Sequence, residues 1–207
     1  MIQKPECAIN INKLLNTLKS FDFILLQEVA NQMILLKRLN KKYNIIEHIS
    51  GRETMTTLID KKYNISQTLF GQFMSGRPFQ VILLTNNICL INVHLPHIQN
   101  LNQELIKIQN YLINKNIDLS KYRIIIGGDF NINIPKNIMF MNKILTTSKS
   151  LNSCCTNDLN TNKLKYNFDH ILDSDNKIVK TKIVFPHKNN IMLPASDHVG
   201  IYCKLFK

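Results

Sequence analysis

The chain has no tryptophan. Tyr111 and Tyr122 sit in helix and strand contexts, so no base-stacking platform is legible in the sequence. No stretch approaches the ~18 apolar residues that a membrane-crossing helix needs. Met1 to Asn12 carries Lys4, Pro5 and Glu6 and no apolar core of signal-peptide length. An intracellular location, cytoplasmic or nuclear, is therefore expected. The five cysteines (Cys7, Cys89, Cys154, Cys155, Cys203) show no C-x-x-C spacing. That argues against a structural zinc site or a disulfide framework, and reduced thiols are expected. Internal repeats of 20–50 residues are also missing.

What remains is ordinary globular material. The 207 residues suffice for one sizeable α/β domain, expected to span 1–207. Apolar residues make up 44% and charged residues 19%, which separates the chain from disordered sequences. Its net charge is +12. A basic balance suits an anionic partner, nucleic acid above all. Lysine, asparagine and isoleucine dominate, and arginine occurs only at 38, 52, 77 and 123. Coding from an AT-rich genome would give the same bias.

Apolar runs and their periods place the elements. Leu14 to Lys19 reads as an amphipathic helix and Phe21 to Leu26 as a buried strand. Asn31 to Lys42 reads as a helix. Tyr43 to Ile49, Thr54 to Ile59 and Tyr63 to Phe70 read as successive strands. Phe79 to Leu84 and Ile88 to Val93 form a hairpin, and Gln99 to Asn114 has helical spacing. Tyr122 to Ile126 is a strand, Asn137 to Leu145 a helix, and Thr146 to Lys165 a long polar loop. Strands follow at Phe168 to Leu172, Ile178 to Phe185 and Val199 to Phe206. Helices alternating with hairpins predict two packed mixed β-sheets flanked by helices, a four-layer α/β sandwich.

Polar clusters recur where strands end: Gln27-Glu28, His94, Asp129 with Asn131, Asp169-His170, and Ser196-Asp197-His198. The sharpest is Ile124-Ile125-Ile126-Gly127-Gly128-Asp129-Phe130-Asn131, an apolar run stopped by two glycines and followed by a carboxylate and an amide. Each cluster alone is unremarkable. Together they supply the groups that metal-assisted hydrolysis of a phosphate ester requires. Magnesium takes carboxylate oxygens and neutralises charge on phosphoryl oxygens. A histidine near its reference pKa of ~6.5 can accept a proton from water when a carboxylate fixes its tautomer. An amide can hold a phosphate oxygen without adding charge.

In this order and position, Leu26-Gln27-Glu28, His94-Leu95, Gly128-Asp129-Phe130-Asn131, Phe168-Asp169-His170-Ile171 and Ser196-Asp197-His198 resemble the endonuclease/exonuclease/phosphatase superfamily. The deoxyribonuclease I-like fold, from Phe21 to Lys207, is what this resemblance implies. Members include abasic-site endonucleases, tyrosyl-DNA phosphodiesterases, sphingomyelinases and inositol-polyphosphate phosphatases. By resemblance, the chain would be a magnesium-dependent phosphodiesterase, with manganese as an alternative ion, a nuclease or DNA-end-processing enzyme. Nucleic acid is the expected partner and a monomer the expected state. Glu28 and Asp197 would serve the metal. His94 would contact the scissile phosphate or assist the leaving group. Asp129 would orient or activate water, and Asn131 would hold a phosphate oxygen. Asp169 would orient His198, the general base or phosphate-binding imidazole. His170 would point to the opposite face.

Two features depart from that pattern. The superfamily opens with a strand ending in Asn, whereas this chain starts almost at the following helix. A missing first strand, and a metal site short of one polar ligand, are therefore expected. Arg77, in Ser75-Gly76-Arg77-Pro78-Phe79, is a candidate phosphate contact, with a solvated turn as its plain alternative. A non-catalytic nucleic-acid or protein-binding module, or an inositol or lipid phosphatase, are the alternative functions.

Overall fold

The computed structural model describes residues 15–29, 36–51, 53–97, 100–149, 151–154, 166–184 and 200–205. The expected loss of a first strand falls on residues 1–14, and the Ser196-Asp197-His198 cluster on 191–199. Both lie outside the described residues.

Twelve strands form three sheets among the described residues. The largest has the order β4(Ile65–Gln72), β5(Pro78–Leu84), β6(Ile88–His94), β7(Arg123–Asp129), β10(Asp169–Asp173), β9(Lys143–Thr147) and β8(Asn137–Phe140). It is mixed, because β6 and β7 run parallel while its other pairs are antiparallel. The helix α1(Leu101–Asn114) makes the β6–β7 crossover. Asn100 starts it by accepting the backbone N–H of Asn102 at 3.1 Å. The second sheet has the order β1(Phe23–Leu26), β3(Glu53–Asp60), β2(Tyr43–Ser50). The third is a ribbon of β11(Ile178–Val184) and β12(Gly200–Leu205).

Alternation along the central strands sets the layers. Phe79, Val81, Leu83, Cys89, Ile91, Val93, Ile124 and Ile126 pack with Leu101, Leu105, Ile108 and Leu112 of α1. The opposite face, with Ile82, Leu84, Leu90 and Ile125, packs with Ile59, Phe23 and Ile46 of the second sheet. Leu15, Leu18, Leu36 and Leu39 cover that sheet's outer side with Tyr43 and Leu58. The packed mixed α/β sandwich expected from the sequence is thus present.

Between the two sheets lies a buried polar seam. Gln27 Nε2 donates to Asn92 Oδ1 at 2.6 Å. Asn92 Nδ2 faces Thr57 Oγ1 at 3.1 Å, Thr56 O at 3.3 Å and Leu26 O at 3.4 Å. Thr57 Oγ1 donates to Gln80 Oε1 at 2.5 Å, and Gln80 Nε2 reaches Ile46 O at 3.2 Å. Asn92 and Gln80 stand on the large sheet and their partners on the small one.

Some sequence expectations fail for physical reasons. Asn137 to Leu145 is a hairpin, not a helix. Met141 and Asn142 take positive φ (50° and 62°) and turn the chain. Ile138 and Phe140 are buried while Asn137 and Met139 are exposed, a period of two. The expected helix Asn31 to Lys42 falls in part outside the described residues; Leu36 is helical and a 3-10 turn at Lys37–Leu39 follows it. The meander divides between sheets, β2 and β3 joining the second and β4 the large one. Cys89 and Cys203 are free thiols, but Cys154 is disulfide-bonded, against the expectation of reduced cysteines. No helix among the described residues is long and apolar enough to cross a membrane.

Arg123 clamps the end of β10 with two parallel bonds to Asp173, Nε to Oδ1 at 2.8 Å and Nη2 to Oδ2 at 2.9 Å. Burial pushes the Asp173 pKa up. Its bonds to Arg123 and to the backbone N–H groups of Lys177 and Asp175 outweigh that and hold it below the ordinary value of 3.8. The folded value is the lower one, so this stabilisation is complete above pH 3.8 and is lost as pH falls through it toward the folded value. Asp173→Asn is expected to cost about 3–5 kcal/mol at pH 7 and to flatten the stability–pH curve below pH 4, measured by urea unfolding. Asn92→Leu strands the half-buried amide of Gln27 and takes a donor from Thr57 Oγ1, which keeps its bond to Gln80. It is expected to cost about 2–4 kcal/mol in the same assay.

Candidate active site

The polar tips converge at one end of the two sheets. In the parallel pair β6–β7, His94 lies opposite Asp129, and antiparallel β10 sets Asp169 against the other side of Asp129. Alternation turns His94 and Asp129 toward the second sheet, on the face that carries Asn92 and Ile125. There β1 ends and Glu28 follows with φ 55°, while the Val29 N–H donates to Thr54 O at 3.0 Å. The double glycine makes the approach of β1 feasible. A Cβ on Gly127 would sit 2.7 Å from Leu25 Cδ1, and one on Gly128 (φ 141°) only 2.0 Å from Val93 O.

His94 is the buried centre, its side chain 3% exposed. Its Nδ1 lies 2.8 Å from Glu53 Oε2. Its Nε2 lies 2.6 Å from Arg77 Nη1, 3.5 Å from Asp129 Oδ2 and 3.9 Å from Glu28 Oε1. A guanidinium has only donors, so the Arg77 contact requires a lone pair on Nε2. The ring proton is then on Nδ1, facing Glu53. That approach is close but off the hydrogen-bond axis. Arg77 also reaches Leu95 O at 2.6 Å and Glu53 Oε1 at 3.5 Å.

Asp129 is held by Asn131, whose φ is 52°. The Asn131 backbone N–H donates to Asp129 Oδ1 at 2.8 Å, and Nδ2 faces Leu95 O at 2.8 Å and Asp129 Oδ2 at 3.2 Å. Asp169 is half-buried, its backbone N–H donating to Ser153 Oγ at 3.1 Å. His170 is buried on the other face, its Nε2 3.1 Å from Ile132 O and its ring edge-on to Phe130. Burial holds its pKa below the ordinary histidine value.

Of the residues expected from the sequence, Glu28, Arg77, His94, Asp129, Asn131 and Asp169 come to this end of the sheets. Asp197 and His198 lie outside the described residues. Glu53 was not foreseen. It starts a strand instead of ending one, but β3 is antiparallel to β1, with Leu26 opposite Thr56, so the start of β3 reaches the same edge as the end of β1. The signal available was Gly51-Arg52-Glu53, a turn glycine followed by charge before an apolar run.

Three carboxylates (Glu28, Glu53, Asp129) and one guanidinium surround the imidazole, leaving negative charge for a cation to balance. Ligand atoms of Glu28, Glu53 and His94 lie within 4.8 Å of one another. Burial, opposed by the charge of Arg77 and reinforced by that of Glu28, holds the Glu53 carboxyl above its ordinary value of 4.5. His94 turns its Nε2 lone pair to Arg77, so the free donors are carboxylate oxygens. That set fits a hard divalent ion such as magnesium or manganese.

Comparison with solved structures decides the fold. An endonuclease/exonuclease/phosphatase family protein from Leptotrichia buccalis superposes with a TM-score of 0.68 at 17% identity, over 100% of this chain and 96% of that one. TDP2 from D. rerio, complexed with single strand DNA product, gives 0.65 at 17% identity over 98% and 93%. The chain has the endonuclease/exonuclease/phosphatase fold. An uncharacterized protein of Acanthamoeba polyphaga mimivirus is 33% identical over 238 residues, matching 100% of this chain and 45% of that protein. The chain therefore spans under half the length of that relative. No family model matches the sequence.

Within this fold, the carboxylate pair is a testable cation site. Glu28→Gln and Glu53→Gln are each expected to weaken manganese binding by at least about tenfold in calorimetry, with the circular dichroism spectrum unchanged. A protonated carboxyl does not bind the ion, and the Glu53 pKa is raised. Binding should therefore begin to fail above pH 4.5 as the solution is acidified, and Glu53→Gln should abolish that early loss.

Proposed function

We propose that the chain is a divalent-metal-dependent hydrolase of phosphodiesters in nucleic acid. The observation that carries this reading is the convergence of Glu28, Glu53, Arg77, His94, Asp129 and Asn131 on one sheet edge, around a buried imidazole. The fold is shared with TDP2, whose D. rerio form is complexed with single strand DNA product. The +12 net charge favours the same polyanionic substrate.

Each residue has work that its geometry permits. Arg77 sits at the mouth with donors suited to a phosphoryl oxygen, and Glu53 and the Leu95 carbonyl hold it there. His94, with its proton on Nδ1, keeps Arg77 in place through Nε2. In this tautomer it has no proton at Nε2 to give to a leaving oxygen. Asp129 would orient water and take its proton. Both Nδ2 hydrogens of Asn131 point at Leu95 O and Asp129, so its first task is to fix that carboxylate. Glu28 and Glu53 would hold the metal, which when bound neutralises charge on phosphoryl oxygens. Asp169, half-buried opposite Asp129, remains the residue proposed to orient His198, with Asp197 on the metal side.

The test is hydrolysis of labelled single-stranded, duplex, abasic and end-blocked DNA, and of RNA, with magnesium or manganese. Chelator-sensitive cleavage is expected, with Asp129→Ala slower by about 10²–10⁴-fold. No cleavage of any substrate, with Asp129→Ala indistinguishable from the parent, overturns the hydrolase. Hydrolysis of inositol polyphosphates without nuclease activity overturns the substrate class.

A further inference from the structure

Beside the Asp173 end of β10, the β11–β12 ribbon carries a face built mainly of cations. In its antiparallel register Lys180 lies opposite Lys204, and Lys182 opposite Tyr202. Opposed residues share a face, as do residues two apart. Lys180, Lys182, Lys204 and Tyr202 therefore stand together, and all three lysines are exposed. The other face turns inward. Thr181 Oγ1 accepts the Lys149 N–H at 3.2 Å, and burial, reinforced by the charge of Asp173, pushes the Cys203 thiol up to about 12.

Like charges directly opposed across a ladder destabilise it. The charged groups acting on Lys180 are Lys182 first and then Lys204, and they hold its ammonium below the ordinary lysine value. An edge strand is protected from unwanted pairing by isolated charges and does not need a pair set face to face. Such a row is relieved by a linear polyanion. Tyr202 adds an aromatic contact to the row, its ring 5.3 Å from that of Phe21. Cations interleaved with an aromatic suit a single strand, whose bases are free to stack.

The ribbon also has a defined place. Cys203 lies by Asp173 and Arg123, at the opposite end of β10 from Asp169. The length of β10 is about 13 Å at the usual rise, so a ligand on both sites must extend over several nucleotides.

We propose that the lysine face of β11–β12 is a second binding site, for the sugar–phosphate backbone of single-stranded nucleic acid, separate from the hydrolytic centre. It rests on nucleic acid being the substrate class. It binds the strand beyond the scissile bond and makes affinity depend on length.

Fluorescence anisotropy of labelled dT oligomers of about 6 and 24 nucleotides, over a salt series with the full chain, tests this. Lys180→Gln/Lys182→Gln/Lys204→Gln is expected to bind the longer oligomer at least about tenfold more weakly. Its slope of log K against log salt should fall by about 2, at roughly 0.7 per lost phosphate contact. Lys182→Gln alone should lower the slope by about 0.7, and Lys61→Gln, on another exposed turn, should leave it unchanged. A triple variant that binds like the parent, or a parent that does not bind the longer oligomer, overturns the site. So does a triple variant that loses binding only to vesicles containing phosphatidylserine. If binding falls as expected while neither protein cleaves DNA, the ribbon site stands and the hydrolase reading fails. If the parent cleaves DNA and the triple variant binds as well as the parent, the ribbon site alone fails.

Discussion

The amide of Asn92 joins the two sheets, and the site depends on that junction. Asn92 occupies the position before the last inward-facing residue of β6, with His94 two residues on. Through Gln27, Thr57 and the backbone carbonyls of Leu26 and Thr56, it fixes where β1 ends and how β3 begins. Glu28 and Glu53 come from those two places, while His94 and Asp129 come from the large sheet. A seam of partnered amides is directional where an apolar contact is not. It sets the sliding position of one sheet on the other, and so decides whether carboxylates from one layer meet the imidazole of the other.

Within the site, one carbonyl links two tasks. Leu95 O accepts from Arg77 and from Asn131, and the Leu95 N–H donates to Asp129 O. The Arg77 guanidinium and the Asp129 carboxylate thus share a rigid backbone unit. The electrostatics follow the same economy. Arg77 offsets part of the carboxylate excess and selects the tautomer of His94, and the remaining negative charge suits a cation.

Much of this was legible in the sequence because strand ends are. An apolar run stopped by glycine and followed by Asp or His announces a polar sheet edge, as at Gly127 to Asn131. The parallel β6–β7 pair then puts two such ends side by side. Glu53 escaped because an antiparallel strand brings its beginning, not its end, to that edge, and pairing partners cannot be read from one strand alone. The β8–β9 hairpin escaped because Ile138, Met141 and Leu145 also fit a helical stripe. The deciding feature was two residues, Met141 and Asn142, in left-handed conformation without glycine. Arg77 was readable as a candidate, but its grip on His94 depends on a turn whose geometry no local pattern discloses.

The glycine pair bears on how this chain can change over generations. Any single-base change that alters a glycine codon into another residue adds at least a Cβ. At Gly128 that atom would lie 2.0 Å from the Val93 carbonyl oxygen, and at Gly127 2.7 Å from Leu25 Cδ1. No smaller or equal residue exists to step through. A lineage under strong mutational pressure toward lysine, asparagine and isoleucine can recolour its surface freely. At Gly127 the leucine tip can give way. At Gly128, which meets backbone at φ 141°, there is no neutral neighbour, so drift is closed just where the strand meets the site.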